Sequence, residues 1–81
     1  MKLHLTEQFL AQFDEAQPAV QKATVKQLRL LEANIRHPSL HAKKYNEGED
    51  IWQARINRSW RFYFLIQKDT YRIIEMKVHP K

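Results

Sequence analysis

Arg55, Arg61, Lys77 and His79 are the side chains of this sequence whose types and spacing suit work on a phosphate group. They sit in the stretch from Ile51 to His79, IWQARINRSWRFYFLIQKDTYRIIEMKVH, where apolar and polar residues alternate. In a strand, successive side chains point to opposite faces, so alternation tells which residues share a surface. Trp52, Ala54 and Ile56 then share one face of a first strand, and Gln53, Arg55 and Asn57 the other. A second strand places Trp60, Phe62, Phe64 and Ile66 in the apolar row and turns Arg61, Tyr63 and Leu65 away from it. The third sends Ile74, Met76 and Val78 inward and Ile73, Glu75, Lys77 and His79 outward. One face reads as a core. The other collects two arginines, a lysine and an imidazole, a group that exchanges protons near neutral pH because its ordinary pKa is about 6.5.

These strands need a scaffold, and 81 residues suffice for one core, so residues 1–81 are read as a single domain. A hydrophobic content of 43% and the absence of Pro/Gly-rich tracts favour a folded chain over a disordered one. There is no cysteine, which excludes disulfides and thiolate metal sites and accords with a reducing, cytoplasmic location. His4, His37 and His41 lack metal-ligand spacing, so neither a metal nor another cofactor is expected. The first residues acquire charged and amide side chains within a few positions, and neither a signal peptide nor a membrane span is expected.

The net charge of +5 is unevenly spread: residues 1–35 hold four Lys/Arg and four Asp/Glu, whereas residues 36–81 hold ten and five. The strand-forming half therefore carries the whole excess, which suggests an anionic partner such as nucleic acid or an acidic protein segment.

Upstream, Leu3 and Leu5 alternate with Lys2 and His4 as a short strand would. Thr6 is placed to cap a helix bearing Phe9, Leu10, Phe13 and Ala16. Gln17-Pro18 separates it from a second helix whose apolar stripe is Val20, Ala23, Leu28, Leu31 and Ile35, ending at Arg36-His37-Pro38. The polar segment HPSLHAKKYNEGED contains the single glycine, Gly48, with Leu40 and Tyr45 as expected core anchors and an extra strand around residues 42–45. Turns at 57–59 and 67–70 imply antiparallel neighbours. The expected fold is α+β, a short N-terminal strand and an α-helical hairpin packed on a three- to four-stranded antiparallel sheet.

With those elements in order, the chain resembles the RelE/ParE toxin superfamily. The matching residues are HPSLHAKK after the second helix, WQARIN, SWRFYF and the terminal KVHP, which together run from about Leu28 to His79. The resemblance implies the toxin of a type II toxin–antitoxin system, most nearly a RelE/YoeB-like mRNA interferase: an endoribonuclease that cuts mRNA on the ribosome and so arrests translation. It implies a cognate antitoxin as partner in a hetero-oligomer, with ribosome and mRNA as targets and no membrane association. By position, Arg61 resembles the family arginine on the scissile phosphate, and His79 the histidine near the C-terminus of YoeB-like and YafQ-like members. Arg55 matches a second basic residue, while Gln53 stands where RelE carries lysine. Pro80 and Lys81 follow His79 where many nucleases of the family place a tyrosine or a further segment.

Metal-independent RNA cleavage requires attack of the 2′-oxygen on the adjacent phosphate, proton transfer at both oxygens and positive charge at the transition state. His79 suits the proton transfer and Arg55 with Arg61 the charge. Lys43, Lys44, Gln53 and Lys77 complete the expected RNA contacts. The general base is left open among Glu75, Glu47, Glu49 and Asp50. Two alternatives keep other functions in view: a ParE-like protein that inhibits gyrase by binding, and a non-toxic nucleic-acid-binding module.

Overall fold

The computed structural model describes residues 1–79. Its elements are β1 (Lys2–Leu5), α1 (Glu7–Glu15), α2 (Pro18–Ala33), a 3-10 turn (Pro38–Leu40), β2 (Lys43–Asn46), β3 (Ile51–Arg55), β4 (Trp60–Gln67) and β5 (Thr70–Val78). The strands form one mixed sheet in the order β1-β5-β4-β3-β2. From β2 to β5 the neighbours run antiparallel, as short turns require, and β1 joins the far edge parallel to β5 because the helical hairpin carries the chain back across the sheet.

Both helices start as their residues dictate. The Thr6 hydroxyl accepts from Phe9 N at 3.3 Å and donates to the Ile73 carbonyl at 2.8 Å, so one side chain caps α1 and ties it to β5. Pro18 occupies the first turn of α2, where its missing N–H costs nothing. That helix ends at Ala33, earlier than its apolar stripe suggests. Asn34 leaves the helical region, its side-chain oxygen accepts from Arg36 N at 3.0 Å, and Ile35 packs on the core from outside the helix.

The core lies between the helices and one face of the sheet: Phe9, Leu28, Leu31, Leu40, Ala54, Ile56, Phe62, Phe64, Tyr71, Ile73 and Met76. Two facing assignments from simple alternation are overturned here. Ile73, expected outward, is fully buried, and Ile74, expected inward, is only half-buried. The cause is a bulge: Tyr63 pairs with Glu75 but Phe64 with Ile73, so Ile74 is an extra residue that reverses the alternation of β5. Ile66 keeps its side, opposite the core residue Tyr71, but is exposed at the end of the apolar row. Tyr45 does not reach the core at all; it packs on the opposite face, against Tyr63. Tyr63 lies on the outer face as expected but is buried there, with Lys77 Nζ 5.1 Å from its ring centre.

Candidate functional site

The register brings the basic residues together. Lys43 pairs with Gln53, and Gln53 with Tyr63, in one row across the outer face; Arg55 pairs with Arg61, and Arg61 with Lys77, in the next. At the end of these rows a cavity of about 120 Å³ is lined by His41, Lys43, Gln53, Arg55, Arg61 and His79.

Each lining side chain has a local support. The turn between β3 and β4 is organised by Asn57, whose side-chain oxygen accepts from Ser59 N and Trp60 N, both at 2.8 Å. Arg61 Nη1 then donates to the Asn57 and Trp60 carbonyls at 2.8 and 3.0 Å, which holds the guanidinium at that turn. The same turn fixes His79, whose backbone N–H donates to the Ser59 carbonyl at 2.7 Å. Gln27, buried on α2, donates from Nε2 to the carbonyls of Ser39 at 3.1 Å and Arg55 at 2.9 Å. One amide thus joins the loop before β2 to the strand that carries Arg55. In that loop Leu40 is fully buried and His41 takes left-handed backbone angles, φ 47 and ψ 41. Histidine tolerates this region better than most residues, and the turn brings His41 into the lining of the cavity that His79 also lines.

The electrostatics are one-sided. Among the described residues no carboxylate lines the cavity. Among the described residues the ion pairs are Lys2 with Asp69, Lys44 with Asp50 and Lys77 with Glu75, which leaves Arg55 and Arg61 without acidic partners. Burial, reinforced by the neighbouring charge of Arg55, holds the Arg61 guanidinium below its usual range. Three buried polar atoms have no hydrogen-bond partner among the described residues: Gln53 Oε1, Arg55 Nε and His79 Nδ1. All three belong to this cavity. An orphaned buried polar atom costs free energy, and three around one hollow of net positive charge mark a place built to receive an anion that also offers hydrogen-bonding groups.

By sequence, no family model and no curated protein matches the chain. Solved structures do. The YoeB/ParE toxin from Agrobacterium tumefaciens superposes with a TM-score of 0.78 at 14% identity, covering 99% of this chain and 100% of that one. A chain of the RelBE2 toxin–antitoxin complex from Mycobacterium tuberculosis gives 0.79 at 15% identity over 96% of both. A chain of the intact RelBE toxin–antitoxin complex from Escherichia coli gives 0.75 at 14%, covering 99% and 98%. The fold is that of the RelE/ParE toxins.

Within this RelE/ParE fold, five of the seven residues singled out by sequence line one cavity: Lys43, Gln53, Arg55, Arg61 and His79. Lys44 and Lys77 do not. Lys44 pairs opposite Trp52 and binds Asp50 at 3.0 Å, while Lys77 sits over Tyr63 with Nζ 3.6 Å from Glu75 Oε1. Pro80 and Lys81, where the resemblance departs from the family pattern, lie outside the described residues. Glu75 shares the outer face but not the cavity, and Glu47, Glu49 and Asp50 belong to the exposed β2–β3 connection. The lining residue that sequence reasoning missed is His41. Its signal was present only as a histidine beside Lys43, with no periodicity to aim it. Two larger hollows lie elsewhere, one between the helix pair and the end of β5 and one around His4 and Arg72, and neither gathers orphaned polar atoms. Among the described residues no cluster of His, Cys, Asp or Glu is arranged to hold a metal ion, and no helix is long and apolar enough to cross a membrane.

Proposed function

We propose that this chain is the toxin of a type II toxin–antitoxin pair and a metal-independent endoribonuclease that cuts mRNA on the ribosome in the cytoplasm. One observation carries the reading: two histidines, two arginines and a lysine surround a phosphate-sized cavity whose orphaned polar atoms await an anion.

The chemistry follows from the residue types. Arg55 and Arg61 bind the scissile phosphate and stabilise the negative charge that builds as five-coordinate phosphorus forms. One imidazole of the His41–His79 pair takes the proton from the ribose 2′-hydroxyl as its oxygen bonds to phosphorus. The other protonates the 5′-oxygen as the bond from phosphorus to that oxygen breaks. The products are a 2′,3′-cyclic phosphate and a 5′-hydroxyl. The second histidine fills the role of general base, for which no carboxylate among the described residues lines the cavity. Gln53 and Lys43 contribute a polar contact and a further positive charge beside the phosphate. The cognate antitoxin is the partner that keeps such a chain harmless in its cell.

The test is to add the purified chain to ribosomes programmed with mRNA and map the new 5′ ends. Cuts within the A-site codon, lost in His79→Ala and Arg61→Ala, support the reading. Intact mRNA together with inhibition of gyrase supercoiling replaces it with the gyrase alternative.

A further inference from the structure

We propose that Tyr45 is a stacking platform for the nucleobase next to the phosphate held in the cavity, a role that rests on the nuclease reading above. The cavity, about 120 Å³, is lined by charged and polar side chains alone, a lining that suits a phosphate rather than the apolar faces of a base. The base attached to a bound nucleotide must therefore lie on the surface beside the cavity.

On that flank stands an aromatic ring with no job in the core. Tyr45 is 53% exposed, the one aromatic among the exposed large apolar side chains of the described residues. It lies two residues beyond the cavity residue Lys43 on β2, and its packing on Tyr63 puts it on the same outer face as the cavity. The pairing of β2 with β3 shifts between Lys44 and Asn46, and Tyr45 has no residue directly opposite it.

The ring is nonetheless held. It meets Tyr63 edge to face, with centroids 5.0 Å apart and planes at 66°. Tyr63 is itself buried, directly opposite the cavity residue Gln53 and beneath Lys77. A braced tyrosine with two rotatable side-chain bonds gives up little freedom when a base stacks on it. Lys77, alongside, favours the negative backbone that leads away from the cavity. Because every base has a π-face, Tyr45 sets the position of the nucleotide and leaves its identity free.

The experiment compares Tyr45→Phe and Tyr45→Leu in single-turnover cleavage on programmed ribosomes, with mRNA either intact or abasic at the nucleotide flanking the cut. Leucine keeps an apolar cover on Tyr63, and equal thermal midpoints establish that the variants are folded. Tyr45→Phe should match wild type, and Tyr45→Leu should lose about 5- to 100-fold in kcat/KM. The abasic substrate should cost wild type a similar factor and cost Tyr45→Leu nothing further, a non-additivity that a merely structural role does not produce. Full activity in Tyr45→Leu, additive losses, or a defect confined to antitoxin binding overturns the proposal while the nuclease reading stands. Should wild type cut no ribosome-bound mRNA, both fall together.

Discussion

Arg55 and Arg61 stand directly opposite one another across β3 and β4, and neither guanidinium has a carboxylate partner among the described residues. Like charges in that relation destabilise a sheet, by about 0.2–1 kcal/mol on the usual scale of cross-strand pairs. Arg55→Gln should therefore raise the thermal midpoint by a few degrees while reducing mRNA cleavage. Inorganic phosphate should stabilise wild type in a concentration-dependent way and Arg55→Gln much less, because ligand binding to the folded state alone adds stability. Thermal melts with and without phosphate check both.

In the proposed mechanism Arg61 carries the heavier catalytic load, since its guanidinium is fixed by two carbonyls of the β3–β4 turn before substrate arrives. Arg61→Ala should lower kcat by about 100- to 1,000-fold with a smaller change in KM, as expected when a preorganised donor to the transition state is removed. Single-turnover rates on programmed ribosomes measure this.

Two histidines in the lining of one cavity, acting as the proposed acid and base, imply a bell-shaped dependence of cleavage on pH. His41→Ala and His79→Ala should each lose about 100- to 10,000-fold and each flatten one limb. The variant that flattens the acidic limb identifies the base, and the one that flattens the alkaline limb the acid. A profile unchanged in His41→Ala removes that residue from the mechanism.

Burial raises the Tyr63 phenol above its ordinary value near 10, with the charge of Lys77 opposing the shift. The folded state thus keeps a proton that the unfolded chain releases first. Stability from this group is fully present below pH 10 and is lost as pH climbs through the higher folded value. Wild type should lose thermal stability more steeply than Tyr63→Phe above pH 10, as melting curves across that range would reveal.

Gln27 links the two halves of the cavity through the carbonyls of Ser39 and Arg55. Gln27→Leu should cost about 1–3 kcal/mol by leaving both carbonyls without this donor. It should also reduce cleavage beyond what the stability loss explains, because His41 and Arg55 lose their common tie. Urea denaturation and cleavage by the folded fraction separate the two effects.

The legible part of this molecule was the part that depends on local periodicity. Alternation alone placed Gln53, Arg55 and Arg61 on one face and Ala54, Ile56, Phe62 and Phe64 on the other, because side-chain direction in a strand repeats every two residues whatever the partner. Capping chemistry at Thr6 and the proline at Pro18 likewise marked helix starts from a few adjacent residues.

Tertiary pairing decided the rest. The bulge at Ile74 exists only because β4 and β5 pair on both sides of it, and it exchanged the roles of Ile73 and Ile74. Tyr63 became buried because Tyr45 and Lys77 close over it from other strands. His41 reached the cavity through a left-handed turn, a buried Leu40 and the Gln27 amide, none of which is a repeating pattern. The sequence by itself determined which residues share a face in β3 and β4, because that follows from local alternation, and that the excess positive charge falls in the strand-forming half. Only the folded sheet determined which of those residues converge, since convergence depends on contacts between segments far apart in the chain.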